Sequence, residues 1–371
     1  MVAEILEGGE MCAFDYERKL SKLMVPEVVN ALSAIHALRA RRELRQELRP
    51  VELEGLREIA RIQSTGASNS LENIRTSNAR LRELVQMRVQ PRNRDEREIA
   101  GYRAVLDLIH ESHAHIDVTP NVILQLHRDL YRYVDVSFGG RWKDADNVIA
   151  ETGPSGTLVT RFVPTSALET PDAMAGLCSA YARAVKDGRY DVLLASALFT
   201  FDFVSIHPFN DGNGRMSRLL MLLTLYRGGY DVGRYVSLEH EIERTKETYY
   251  EALAASSAGW REGENDYLPY VTYFLGVVLA CYRDLDERMA VLSQGSSDER
   301  VRAFFAGRLE PVSRREIADA LPTISSRTLD RVLARLQAAG ELEKVGAARA
   351  TRYRWVRPLT WQRDGVNLTE A

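Results

Sequence analysis

Apolar residues recur at intervals of three and four through most of the chain, which is the spacing of one face of an α-helix. This pattern predicts helices over residues 25–48, 51–62, 74–89, 96–113, 119–134, 171–186, 191–205, 215–227, 239–257 and 267–292. The helix at 191–205 is apolar on nearly every side, so we expect it to be buried at the centre of the fold.

The helical spacing of apolar residues is lost between residues 138 and 164. Turn residues in GPSG, at 153–156, are flanked on both sides by β-branched residues. This arrangement predicts a β-hairpin from Val148 to Val163, the only convincing strands in the first three hundred residues.

The last 75 residues have a different organisation. SQGSSDE, at 293–299, has the composition of a linker, and SRRE, at 313–316, is a capping box that opens a helix. A serine-capped helix ending at Gly340 and two short strands, ELEKV and RYRWV, follow. The order predicts a winged helix-turn-helix over 297–371.

Composition narrows the class of protein. The 371 residues are 45% hydrophobic and carry a formal net charge of -3, as is ordinary for a globular protein of two or three domains. No long apolar run predicts a signal peptide or a membrane span. The three cysteines show no metal-ligand spacing, so we expect a cytoplasmic protein with reduced thiols.

The polar stretch HPFNDGNGRMSR, at 207–218, lies between two predicted helices. Its glycines allow a backbone to approach an anion closely, and a helix N-terminus favours that anion. Arg215 and Arg218 lie three residues apart and can both bind phosphate oxygens, whereas a turn without an anion would leave two arginines at an unfavourable helix end. Asp211 is a hard oxygen ligand suited to Mg²⁺, and His207 is suited to general-base catalysis.

These twelve residues match the Fic pattern HxFx[D/E]GN[G/K]RxxR at every defined position. The chain therefore resembles Fic proteins over about residues 100–260, including the hairpin, where these proteins have a flap that docks the target. The resemblance implies a protein adenylyltransferase, which transfers AMP from ATP to a Ser, Thr or Tyr hydroxyl of a protein and releases pyrophosphate. Gly214 stands where a toxin-kinase branch of the same fold has lysine, which favours AMP transfer over phosphorylation.

The resemblance also assigns roles to single residues. His207 would deprotonate the target hydroxyl, and Asp211 would ligate Mg²⁺. The loop from Gly212 to Gly214 would bind the α- and β-phosphates, with Asn213 on the α-phosphate. Arg215 and Arg218 would hold the β- and γ-phosphates.

A second motif lies upstream, in SNSLEN at 68–73. Ser68, Glu72 and Asn73 fit the pattern [S/T]xxxE[G/N], which resembles the inhibitory helix of Fic proteins. Glu72 would then pair with Arg218 in place of the ATP γ-phosphate. By itself the pattern is weak, because its positions are loosely specified and Ser68 simply capping a helix that contains Glu72 is the simpler explanation. The downstream motif and the order of the two motifs favour the inhibitory role.

Taken together, the residues and the resemblance predict a mainly α-helical protein with three parts. These are a helical N-terminal region, 1–95, with an inhibitory helix at about 66–80, a Fic catalytic core with its hairpin flap, 96–292, and a winged helix-turn-helix, 297–371.

The winged helix carries 14 Lys and Arg against 10 Asp and Glu, and Arg327, Arg331 and Arg335 recur along its second long helix. The winged helix could contact either DNA or a protein. For the chain as a whole, the sequence also leaves open whether it forms a homodimer and whether it removes AMP from its target. The rival hypothesis is a DNA-binding regulator whose Fic core only senses a nucleotide.

Overall fold

The computed structural model describes residues 14–44, 50–152, 158–306, 311–321, 323–346 and 351–356. The chain divides into two compact units, the first containing the described residues of 14–43 and 60–283 and the second those of 44–59 and 284–356. Among the described residues, twelve α-helices begin between residues 16 and 268: α1 Tyr16–Lys22, α2 Pro26–Leu44, α3 Pro50–Leu71, α4 Asn78–Val85, α5 Arg94–Ser112, α6 Pro120–Leu130, α7 Thr170–Asp187, α8 Val192–Ile206, α9 Asn213–Arg227, α10 Leu238–Arg244, α11 Lys246–Ser257 and α12 Leu268–Gln294.

The centre of the first unit is α8, as its apolar sequence predicts. Phe199, Phe201 and Phe203 on this helix have no exposed surface. A helix that is apolar on all sides is stable only when other elements surround it, and α7 and α9 pack against it. The loop between α8 and α9 is therefore held at both ends by buried helices.

Helix α3 ends differently from the prediction of an inhibitory helix at about 66–80. It is a 22-residue helix that ends at Leu71, and α4 begins only at Asn78. The polar composition around Gly66 does not interrupt it, because α4 packs so closely that a Cβ at Gly66 would lie 2.7 Å from Leu81 Cδ2. Ser68 is consequently in the last turn of a helix and is not an N-cap.

Residues 60–95, predicted as part of a separate N-terminal region, belong to the same unit as the helices that follow. Helix α4 packs on α5, and Arg80 Nη2 donates to Glu96 Oε2 at 2.6 Å. Glu96 also accepts from the backbone N–H of Arg92, and these bonds hold its pKa at about 2.

The hairpin consists of two antiparallel strands, β1 Ile149–Thr152 and β2 Leu158–Phe162. Ile149 pairs with Phe162 and Thr152 with Leu158, and the register shifts between Ile149 and Ala150. The GPSG turn predicted between the strands falls outside the described residues.

The second unit has its own core. Its elements are α13 Ser297–Ala306, β3 Val312–Ser313, α14 Arg314–Ala320, α15 Ser326–Ala338, β4 Leu342–Val345 and β5 Arg352–Trp355, with the strands in the order β3-β5-β4. Phe305, Leu329 and Val332 are fully buried within it. The predicted capping box of Ser313 and Glu316 is present. The predicted linker at 293–299 is mostly helical, because only Gly295 and Ser296 separate α12 from α13.

None of the helices in the described ranges is long and apolar enough to cross a membrane.

Candidate active site

The loop between α8 and α9 turns sharply at two positions. His207 follows α8 with φ 52°, and Gly212 precedes α9 with φ 83°. Gly212 can adopt this left-handed conformation without strain, whereas an added Cβ would lie 3.0 Å from Tyr131 Oη. Helix α9 begins at Asn213, two residues before the predicted start, so the backbone N–H groups of its first turn face the loop without intrahelical partners.

His207 is partly buried, and its imidazole is neutral. Its Nδ1 lies 3.3 Å from the carbonyl oxygen of Val204, which can only accept a hydrogen bond, so Nδ1 carries the proton. Burial lowers the pKa of His207 to about 4, which leaves the imidazole unprotonated at neutral pH. Nε2 then has the free lone pair that a general base needs.

A second histidine, His127, fixes the middle of the loop. Its ring is fully buried and stacks on Phe209, with 3.7 Å between the ring centroids. Gly140 N–H donates to Nδ1, so Nε2 carries the proton that it donates to the carbonyl oxygen of Asp211 at 3.0 Å. Burial lowers the pKa of His127 to about 4, so its place in the loop is that of a neutral anchor.

Asp211 projects its carboxylate to the surface of the loop, where Oδ1 accepts the N–H of Gly212 at 2.7 Å. Among the described residues, no three His, Cys, Asp or Glu side chains are grouped as a metal site. Mg²⁺ seldom needs such a group, because it is commonly held by one or two carboxylates together with substrate phosphates and water. The exposed carboxylate fits this arrangement.

Asn213 stabilises the loop through its side chain. Its Oδ1 accepts from Phe209 N–H at 2.9 Å, and its Nδ2 donates to Phe209 O at 2.8 Å. In this conformation the amide predicted to position the α-phosphate is occupied by the backbone of the loop, which leaves the backbone N–H of Asn213 for an anion.

Arg215 and Arg218 leave α9 toward different partners. Arg215 is 1% exposed, with Nη1 2.8 Å from Glu98 Oε2 and Nη2 2.7 Å from Tyr131 Oη. Its Nε lacks a hydrogen-bond partner among the described residues. The two arginines predicted to act together on the phosphates are thus separately bound here.

Arg218 is held by the upstream motif. Its Nε donates to Ser68 Oγ and its Nη2 to Ser68 O, both at 2.8 Å, while Nη2 also donates to Glu72 Oε1 at 2.7 Å. The Arg218 side chain is 3% exposed and that of Glu72 is 34% exposed. The two predicted motifs therefore meet, although 146 residues separate Glu72 from Arg218 in sequence.

The end of α3 explains why Glu72 is followed by asparagine. The N–H of Ile74 bonds to Asn69 O and that of Asn73 to Ser70 O, the two bonds of a Schellman motif. Asn73 occupies its left-handed position with φ 61°, a conformation that asparagine and glycine tolerate best. The pattern E[G/N] thus encodes a helix end that directs Glu72 toward Arg218.

Glu72 also covers Gly214 at the beginning of α9. A Cβ built on Gly214 would lie 2.1 Å from Glu72 Oε1 and 3.2 Å from Arg218 Nη1. The carboxylate therefore lies at a helix N-terminus and beside a buried guanidinium, where physical chemistry favours an anion.

Three partners of the loop had no signal in the sequence pattern. They are Glu98, which pairs with Arg215, His127, which holds Asp211, and Lys143, whose Nζ donates to Ile206 O at 3.1 Å. Each of these residues lies in a part of the chain outside the loop. For the two that lie in helices, the only available signal was a charged or aromatic side chain at a position that the helical pattern places in the interior.

Comparisons with known proteins show what the sequence and the fold are similar to. Residues 117–225 match the family model described as "Fic/DOC family". The chain contains a Fic domain. The proteins named "Protein adenylyltransferase Fic" from Drosophila mojavensis and Drosophila melanogaster are each 29% identical over 301 and 296 residues. These alignments cover 77% and 76% of this chain, which spans about half, 52%, of the length of each relative.

Solved structures share the fold of this Fic-domain chain. A Fic family protein from Desulfovibrio desulfuricans G20 superimposes with a TM-score of 0.60 at 24% identity and covers 90% of this chain and 97% of its own. Fic-1 from C. elegans has a TM-score of 0.59 at 21% identity over 74% of this chain and 77% of its own. The expectation of a mainly helical Fic-type fold is confirmed.

Proposed function

We propose that this protein transfers AMP from ATP to a hydroxyl side chain of a protein and that Glu72 inhibits the transfer. The observation that carries the proposal is the neutral His207, with its Nδ1 committed to Val204 O, at the entrance of a loop built to bind an anion. A protein that only senses a nucleotide has no need of a base at that point. The curated relatives named adenylyltransferases favour the same reaction.

In this reaction the oxygen of the target hydroxyl bonds to the α-phosphorus of ATP, and the bond from that phosphorus to the bridging oxygen breaks. Pyrophosphate leaves with the electron pair, and the hydroxyl proton moves to His207 Nε2. The first turn of α9 binds the phosphates through its N–H groups, and Arg218 neutralises charge on the leaving pyrophosphate.

Asp211 is the residue that would hold Mg²⁺, which supplies neutralisation of the phosphate charge when it is bound. The target protein would approach along the β1–β2 hairpin, because the edge of a two-stranded antiparallel sheet can accept an extended segment by strand addition.

Inhibition follows from competition between two anions for one site. Glu72 Oε1 lies 2.7 Å from Arg218 Nη2 and covers Gly214, the region that the terminal phosphates of ATP would need. A carboxylate and a phosphate cannot occupy that volume together. We therefore expect the wild-type protein to be largely silent and Glu72→Gly to be active.

The test is incubation of wild type, Glu72→Gly and Glu72→Gly/His207→Ala with Mg²⁺ and ATP labelled at the α-phosphate. We expect Glu72→Gly to label itself and proteins of a lysate, with the label lost when His207 is replaced. Equal labelling by wild type and Glu72→Gly would refute the inhibition. Label transferred from the γ-phosphate instead would show phosphorylation, and no label of either kind would favour a nucleotide sensor.

The second unit gives the sensor hypothesis limited support. Arg335 of α15 pairs with Asp298, and Arg314 of α14 pairs with Asp330 of α15 at 2.6 Å, so part of the positive charge of the unit is neutralised within it. Arg327 and Arg331 are exposed on the same helix. A fluorescence anisotropy titration with duplex DNA at two salt concentrations would measure whether this surface binds phosphate backbones.

A further inference from the structure

The segment before the hairpin contains a lysine that is almost completely buried. Lys143 is 3% exposed, and its Nζ donates to Ile206 O at 3.1 Å and to Asn147 Oδ1 at 2.9 Å. Ile206 is the last residue of α8, where carbonyl oxygens lack intrahelical partners and the helix dipole favours a cation. The ammonium group thus binds the carbonyl of the residue directly before His207, at the point where the backbone turns.

The same segment binds the next three carbonyl oxygens of the loop. Lys143 N–H donates to Pro208 O at 2.8 Å. Asn147 Nδ2 lies 3.5 Å from His207 O and 3.3 Å from Phe209 O. The four consecutive carbonyls from Ile206 to Phe209 therefore all accept from Lys143 or Asn147. We call these two residues the 143–147 clamp.

The clamp connects the catalytic histidine of the proposed reaction to the hairpin along which the target would approach. It holds the backbone of His207, whose φ is 52°. Residues other than glycine adopt this left-handed conformation only when their surroundings enforce it. It also ends two residues before β1, which begins at Ile149. A displacement of the hairpin would therefore be transmitted directly to the backbone that carries the imidazole.

Burial of an ammonium group is costly, which indicates that Lys143 does more than fill space. Burial lowers the pKa of Lys143 to about 8, and an apolar side chain of similar size would avoid this cost. An apolar side chain could not, however, bind the carbonyl of Ile206.

Building on the function proposed above, we propose that Lys143 and Asn147 are positioning residues that orient His207 and couple it to the hairpin. Neither side chain bonds to the residues from Gly212 to Arg218 that would hold ATP. Their loss should therefore reduce turnover and leave nucleotide binding intact.

The kinetic test uses the Glu72→Gly background. Lys143→Met should lower kcat for self-labelling about 100-fold, the scale expected when a reacting group is misplaced by about 1 Å. The KM for ATP should change less than about threefold, and Lys143→Arg should recover part of the loss because a guanidinium can still donate to Ile206 O. Lys186→Met, an exposed lysine on α7, is the matched control and should leave kcat unchanged.

Asn147→Asp provides a second variant of nearly the same shape. It keeps an acceptor for Lys143 Nζ and loses the donor that reaches His207 O and Phe209 O. We expect a fall in kcat with an unchanged melting temperature. A fall in kcat that is matched by an equal rise in KM in both variants would overturn the positioning role.

A readout without turnover separates this proposal from the transfer reaction. NMR of protein labelled with ¹⁵N-histidine reports the tautomer of each of the seven imidazoles, and loss of a signal in His207→Gln assigns His207. Wild type should show the Nδ1–H tautomer alone, whereas Lys143→Met and Asn147→Asp should show a mixture. An unchanged His207 signal in both variants refutes the clamp, while a changed signal without labelling by Glu72→Gly refutes only the transfer of AMP.

Discussion

Replacement of Glu72 by glutamine is expected to destabilise the free protein and to strengthen its binding of ATP. The hydrogen bond from Arg218 to Glu72 is 2.7 Å long and charge-assisted, a class that contributes about 1.5–3 kcal/mol. Glu72 is one-third exposed, and Ser68 still accepts from Arg218 in the variant. We therefore expect a loss of about 1.5 kcal/mol, at the lower end of this range.

The same free energy opposes ATP in the wild type, because the terminal phosphate must displace the carboxylate from Arg218. Glutamine can still accept a hydrogen bond but carries no charge. Removing about 1.5 kcal/mol of competition should tighten ATP binding roughly tenfold. The variant should then melt below wild type when free and should gain more from MgATP.

The assay is thermal unfolding with and without MgATP, together with calorimetric titration of ATP. A loss of about 1.5 kcal/mol corresponds to roughly 3–6 °C in the melting temperature of the free protein. Glu83→Gln on α4 removes one carboxylate from the same region, away from Arg218, and is the matched control. An unchanged Kd for ATP in Glu72→Gln would refute the competition between carboxylate and phosphate.

Three further predictions concern the helix end, the base and the loop anchor. Asn73→Val should raise self-labelling while Asn73→Gly stays silent, because a β-branched residue at φ 61° costs at least about 1–2 kcal/mol; equal labelling would contradict the role of the helix end. Since burial lowers the pKa of His207 to about 4, its neutral form persists on acidification, and kcat of Glu72→Gly should stay level from pH 8 to pH 6; a decline with a midpoint near pH 6.5 would show an imidazole that is not buried. His127→Ala should lower the free energy of unfolding by about 3 kcal/mol and raise the Mg²⁺ concentration needed for half-maximal labelling, whereas His127→Phe, which keeps the ring packing, should show the Mg²⁺ effect with a smaller loss of stability in denaturant titrations.

The local parts of the fold and site could be predicted because their determinants are consecutive in sequence. The apolar run of α8, the glycine turn at Gly212 and the helix that follows need only neighbouring residues to be recognised. The pairing of Glu72 with Arg218 was predicted from resemblance, and its geometry in the structure agrees with it.

The remaining parts depend on contacts between distant elements. Gly66 lies within a helix because Leu81 packs against it, which no local propensity encodes. Asn213 is predicted from the sequence to be a phosphate ligand, whereas in the structure its side-chain amide is hydrogen-bonded to the N–H and the carbonyl oxygen of Phe209. In the sequence, Lys143 cannot be distinguished from the neighbouring charged residues. Its role depends on the contact with Ile206 O, which is 63 residues away in the chain.

The proximity of Glu72 to Gly214 has a consequence for how this chain can vary. Any side chain at 214 would displace the carboxylate of Glu72, because Glu72 Oε1 lies 2.1 Å from the position of a Cβ on residue 214. An alanine at 214 would therefore act as an unlocking mutation while Glu72 is present and would lose that effect once Glu72 is shortened. The effect of a substitution at 214 therefore depends on the residue at 72, so the two positions are coupled although they lie in different helices.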